Sequence, residues 1–227
     1  MSEELKHTQR FESSERPKKL YRAFTMHPNQ LTNEKLRETL KPGTQAADDP
    51  TRIGDGNELG VYMSTNPTMV EQVYAHGGKL AGLSIPVARY KDRQGGMHMG
   101  IQLPSCGVVC EIDTTGLSIR EPKMIQALEG HYNNGFQGHE WIADNIPPDH
   151  YKIRKLTLSD HPHDKRQIII DVEHSTPEAL DDAIERIQQE FKQREREARI
   201  FKEFMDSLSD HERFNSYIWE KKWQERK

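Results

Sequence analysis

Hydrophobic positions along the chain fall into two regimes. Between residues 19 and 172, short apolar or β-rich runs read as strands, with alternation at a period of two over 151–158. Such runs cover residues 19–25, 60–64, 79–90, 97–103, 107–112, 139–143, 151–158 and 168–172. Three short segments have helical spacing instead: 33–40, 66–75 and 122–128. Thr32 stands where the first would be N-capped, with Pro42-Gly43 as its stop. Pro67 falls in the first turn of the second, where a missing N–H costs nothing. Gly-rich stretches at 44–59, 94–96 and 130–138 separate these elements, and Pro86 marks its strand as an edge or a bulge. Many strands and few helices predict an α+β fold with mostly antiparallel sheets rather than a βαβ repeat.

The pattern changes after residue 175. Leu180, Ile184, Ile187, Phe191, Ala198, Phe201, Met205 and Leu208 step by 4, 3, 4, 7, 3, 4 and 3, a heptad-like stripe interrupted at Arg194. Thr176 and Pro177 supply a cap and a first-turn residue. A second helix after Asp210 carries Phe214, Tyr217, Ile218, Trp219 and Trp223, and so much aromatic surface must be covered by something. The stripe predicts a helix docked on its own domain, on a partner protein, or on a second copy as a coiled coil, with docking on the domain or a partner favoured by the break at Arg194.

Charge sharpens this division. Residues 176–227 hold 24 of the chain's 68 charged residues within 52 positions. The expected organisation is a polar lead-in at 1–18, a domain at 19–175 and a charged amphipathic helical extension at 176–227, with the chemistry confined to the domain. No run approaches a membrane-spanning length, and the first 19 residues have no apolar h-region, so a soluble cytoplasmic protein without membrane association is expected, with export by a specialised route left open. The net charge of −4 advertises no nucleic-acid footprint. Cys106 and Cys110 are too few for a disulfide scaffold or a zinc site and read as buried thiols. His161-Pro162-His163, flanked by Asp160 and Asp164, reads as a solvated loop, and no metal is expected.

Three segments carry candidate chemistry. In Leu20-Tyr21-Arg22-Ala23-Phe24, alternation puts Arg22 on the face of Leu20 and Phe24. A buried arginine needs an anion, which is either a structural carboxylate or a ligand phosphate matched to its planar fork. In Gly60-Val61-Tyr62-Met63-Ser64-Thr65-Asn66-Pro67, Tyr62 and Ser64 share a face where strand passes to helix. The Ser-Thr-Asn run there either caps the helix or orients a carboxylate or a ribose. In Gly135-Phe136-Gln137-Gly138-His139-Glu140-Trp141, the carboxylate of Glu140 follows a glycine- and asparagine-rich loop and either faces a cleft or caps a strand end.

The order and spacing of these segments resemble the Arg–Ser–Glu layout of the ADP-ribosyltransferase fold. Leu20-Tyr21-Arg22 is similar to its first motif, Tyr62-Met63-Ser64-Thr65-Asn66 to its aromatic-x-Ser-Thr-Ser motif, and Phe136 to Glu140 to its target-recognition loop and catalytic glutamate. The resemblance covers residues 19–158. It implies a split-sheet core and NAD+ as a substrate held without a GxGxxG fingerprint or a metal. On this pattern Glu140, Ser64 and Arg22 would be catalytic, and Arg22, Tyr62, Ser64, Thr65, Asn66 and Phe136 would contact NAD+. The implied activity is mono-ADP-ribosylation of a protein or nucleic-acid acceptor, of toxin, effector or defence type. Asn66 departs from the third motif position, and Gly138 from the Glu or Gln that usually helps choose the acceptor. Three other readings stand beside it. An NAD-degrading RES-like toxin would pair Glu71 with Arg22. An RNA 2′-phosphotransferase would need several basic residues near the site. A non-enzymatic protein would bind partners through 176–227.

Overall fold

A computed structural model of the chain describes residues 16–39, 61–71, 83–120, 140–159, 167–172 and 177–226. The fold is α+β, and every strand pair in it is antiparallel. The strands are β1 (Lys19–Met26), β2 (Val61–Ser64), β3 (Ser84–Lys91), β4 (Met97–Gln102), β5 (Ser105–Asp113), β6 (Ile119–Arg120), β7 (Glu140–Ala143), β8 (Tyr151–Ser159) and β9 (Ile168–Asp171). Seven of them form one sheet in the order β6-β7-β2-β1-β5-β8-β9, and β3 and β4 form a separate two-stranded sheet. The helices are α1 (Asn33–Thr39), α2 (Pro67–Val70), α3 (Pro177–Ser207), α4 (Asp210–Arg213) and α5 (Ser216–Arg226). The helix expected at 122–128, the loops at 44–59 and 130–138 and residues 1–15 lie outside the described residues.

The centre of the large sheet is where its sequence is most apolar. β5 reads Ser-Cys-Gly-Val-Val-Cys-Glu-Ile-Asp and is buried from Cys106 to Ile112, so it is covered on both faces. One face of the sheet carries the main core. On β1, Phe24 and Met26 belong to it, with Cys106, Val108 and Cys110 across on β5, while Leu20 and Ile112 join Val61, Met63 and Trp141 in a second cluster. Both thiols are wholly buried, and burial pushes each up to about 12, which keeps them protonated and inert at neutral pH.

The cover of this face is α3. Ala183, Ile184, Ile187, Phe191 and Ala198 pack into the same core as Phe24, Val108, Leu156 and Leu158. Gln188 Nε2 donates to the Leu31 carbonyl at 2.9 Å, and Asn33 Nδ2 donates to Asp181 at 2.5 Å, which ties the turn after β1 to the helix. The apolar stripe is therefore satisfied within the molecule. Across the division expected at residue 175, the inner face of the helix completes the core of the sheet, and most of its charged residues lie on the outer face. Arg194 sits buried within the stripe and donates from Nε to Glu190 Oε1 at 3.0 Å, so one side chain accounts for the interruption.

Beyond the large sheet, α3 runs on to β3, where Asp206 accepts the Ala88 N–H at 2.9 Å. Ser209 and Glu212 form a capping box that starts α4, and α5 then folds back. Trp219 and Trp223 close on Phe201, Phe204 and Tyr90, and Trp219 Nε1 donates to the Lys91 carbonyl at 2.9 Å. The aromatic helix of the sequence thus clamps the β3–β4 hairpin. That hairpin turns at Gly95, whose φ of 83° explains a glycine there, and its register shifts between Pro86 and Tyr90 as an edge-strand proline predicts. The two-residue strand β6 has no periodic signal in the sequence. No helix of the described residues is long and apolar enough to cross a membrane.

Candidate functional site

The face of the large sheet away from α3 is the polar one, and strand register organises it. Ser64 on β2 stands opposite Glu140 on β7 and, on its other side, opposite Tyr21 on β1. Tyr21 in turn stands opposite Glu111 on β5, and Glu111 opposite Lys152 on β8. Directly opposed residues of antiparallel strands share a face, with Cβ atoms about 4.5–5.5 Å apart. Glu140, Ser64, Tyr21, Glu111 and Lys152 therefore form one row across five strands. It joins positions as far apart in sequence as 21 and 152 without any of them being near in the chain.

The end of β2 is built locally for this. Ser64 is buried, and its Oγ accepts the Asn66 N–H at 3.1 Å. The Asn66 carbonyl accepts the Val70 N–H at 3.1 Å, so Asn66 is the cap of α2 and Pro67 its first residue. A serine hydroxyl has one hydrogen and two lone pairs. The turn uses a lone pair of this hydroxyl. Thr65 is half-buried and Asn66 exposed at this corner. Tyr62 lies two residues back on β2, opposite Ile142. Phe136, Gly138 and His139 lie outside the described residues, as do His161 and His163.

Arg22 is not brought to this row. It is buried on β1 between Leu20 and Phe24, opposite Cys110, and its positive charge acts on that thiol. It belongs to the α3 side of the sheet, whereas Ser64 shares the face of Tyr21. Glu71, the carboxylate of the RES-like alternative, is on the polar side and is held by Lys155 Nζ at 2.7 and 2.8 Å. Arg22 and Glu71 are thus separated by the sheet itself.

The row also contains a group that motif reading passes over. Glu111 is almost wholly buried, yet three cations reach it: Lys19 Nζ at 3.1 Å, Arg154 Nε at 3.5 Å and Lys152 Nζ at 3.6 Å. Arg154 is placed there by a bulge in β8, where the pairing shifts between Val109 and Cys110. Burial raises the Glu111 carboxyl, but the Lys19 hydrogen bond and the charges of Arg154, Lys19 and Lys152 outweigh it and hold the group below its ordinary value. The sequence did carry a sign of this, a lone carboxylate inside the apolar run of β5, and a Lys-x-Arg-Lys run on β8.

A pH dependence follows. A carboxylate whose folded value is depressed stabilises the fold fully above its unfolded value and loses that contribution as pH falls through the folded one. Glu111→Gln should therefore be less stable than the parent at pH 7. The gap in melting temperature should close as the pH is lowered from the ordinary glutamate value of 4.5 downwards. A gap that stays constant to pH 3 would show that the ionised carboxylate contributes nothing.

Among the described residues no three His, Cys, Asp or Glu side chains gather closely enough to hold a metal ion. No family model, no curated protein and no solved structure matches the chain.

Proposed function

We propose that the protein is a mono-ADP-ribosyltransferase that moves ADP-ribose from NAD+ to a macromolecular acceptor. The observation that carries this reading is the register that sets Ser64 between Glu140 and Tyr21 on one face of the sheet. In the reaction, the bond between ribose C1′ and the nicotinamide nitrogen breaks and its electron pair neutralises the pyridinium. The ribose becomes oxocarbenium-like, as in glycoside cleavage, and the acceptor nucleophile bonds to C1′ and gives up its proton. Glu140 would stabilise the developing charge through a ribose hydroxyl. Ser64, whose Oγ accepts the Asn66 N–H, would be a positioning residue for that carboxylate. Tyr21, the aromatic neighbour in the row, would flank the nicotinamide ribose. Arg22, on the α3 face, is assigned to the core.

NAD+ labelled in its adenylate part, incubated with and without cell lysate, tests the reading. Label transferred to protein or nucleic acid is expected. Free ADP-ribose alone would turn the assignment to hydrolysis, and the absence of any NAD+ consumption would end it. Glu71→Gln should keep the reaction, because Glu71 is committed to Lys155. Its loss of activity would favour the RES-like chemistry. RNA 2′-phosphotransfer is favoured by one observation, the basic trio Lys19, Lys152 and Arg154 around Glu111, and phosphate moved from RNA to NAD+ would identify it.

A further inference from the structure

The β3–β4 hairpin has one edge covered and one open. Along β3, α3 and α4 pack against the strand, and Asp206 of α3 accepts the Ala88 N–H inside the stretch where the register shifts. Among the described residues β4 pairs only with β3, although it is an unbroken strand of six residues. An open edge is a template for another strand, and proteins usually guard it with charge, proline or a bulge. β4 reads Met-His-Met-Gly-Ile-Gln, with no Lys, Arg, Asp, Glu or Pro, and the extra residues of the register shift belong to β3. Met97 and Met99 share a face and are 46% and 64% exposed. We infer that a second copy of this chain covers the edge, β4 antiparallel to β4, so that two hairpins join in one four-stranded sheet.

The pattern of the strand identifies the occupant, because it is its own complement. A two-fold axis through a continuous sheet sets each residue opposite one on the same face. Centred on Met99, the axis opposes Met99 to the second copy's Met99 and Met97 to its Ile101. An uncharged apolar face thus meets its own copy. On the other face His98 stands opposite the second copy's Gly100. Nothing described within one chain calls for glycine at that position. Its φ is not in the left-handed region, and a Cβ there would meet nothing nearer than the Ile85 carbonyl at 3.6 Å, an ordinary contact. A glycine inside a strand weakens it and often marks where another backbone or a ligand comes close. In the pairing, the missing side chain leaves room for the imidazole opposite. His98 is already ordered for this, with Nε2 at 2.7 Å from Asp92 Oδ2 and its ring stacked on Tyr90 at 5.0 Å.

Sedimentation of the full chain over a range of concentrations tests this, together with cross-linking of two single-cysteine variants. The parent should form a dimer as concentration rises. Met99→Lys puts two like charges face to face on the axis and removes two apolar contacts, so it should weaken the dimer about tenfold or more. Met99 is exposed, so the variant should keep the parent's melting temperature when both are monomeric. Gly100→Val should also weaken the dimer, by filling the space opposite His98. Under mild oxidation Met99→Cys should form a disulfide-linked dimer, because residues on the axis have Cβ atoms about 4.5–5.5 Å apart. Met97→Cys should not, because its two copies stand four residues apart, about 14 Å at about 3.4 Å per residue. Cys106 and Cys110 are wholly buried and do not compete. A parent that stays monomeric to about 1 mM, well above a micromolar dissociation constant, would overturn the proposal. So would a dimer indifferent to Met99→Lys, or one that cross-links at residue 97 and not at 99.

Discussion

Glu140→Gln is expected to lose about 10²–10³ in turnover while still binding NAD+, the scale seen when a single electrostatic contact to a developing charge is removed. The change keeps the shape of the side chain and its place opposite Ser64. It removes only the negative charge that an oxocarbenium-like ribose would require. A fall in turnover with little change in KM is the result expected of a group that acts in the transition state rather than in ground-state binding. Single-turnover kinetics on labelled NAD+ reads it. A variant with parental turnover would remove Glu140 from the chemistry and with it the central assignment.

The second large effect concerns stability. Phe191 is buried at the middle of α3, edge-on to the His27 ring at 5.2 Å, in the core shared with β1, β5 and β8. Phe191→Ala should cost about 3–5 kcal/mol, the usual range for emptying a buried phenylalanine site. Against a typical total of about 5–15 kcal/mol, that is a large share of the fold's stability. Removal of residues 177–227 goes further, since it strips the cover from Phe24, Val108, Leu156 and Leu158 at once. Such a chain should show no cooperative thermal transition. A truncated protein that melts like the full chain would mean that the sheet holds together without its helix.

How much of this was legible depended on whether the information was local. Strands showed wherever one face was apolar, and β5 and β8 emerge close to their expected bounds. The stripe of α3 gave the inner face of the helix residue by residue, but not what it would cover, because a period of 3.5 describes a face and not its partner. Alternation put Leu20, Arg22 and Phe24 on one face, and they stand opposite Ile112, Cys110 and Val108 of β5. It could not say that Ser64 faces the opposite side of the sheet from Arg22, since that depends on the pairing of Ser64 with Tyr21, 43 positions away. Motif order groups Arg22 with Ser64 and Glu140, and register sets Tyr21 opposite Ser64. Glu111 and its three cations were hidden for the same reason. Their convergence needs β1, β5 and β8 side by side and a bulge that no local pattern announces.

The closing helix has a consequence for the order of events in synthesis. β1 is among the first ordered segments to be made, and the helix over its apolar side is among the last. Gln188 reaches a carbonyl 157 residues earlier. A growing chain therefore carries an uncovered apolar sheet surface until it is nearly complete, and such long-range closure is slow compared with local folding. Native structure, and any activity that depends on it, is expected only once α3 has been made and has packed on the sheet. Until α3 covers it, the exposed sheet face is the kind of surface that chaperones hold.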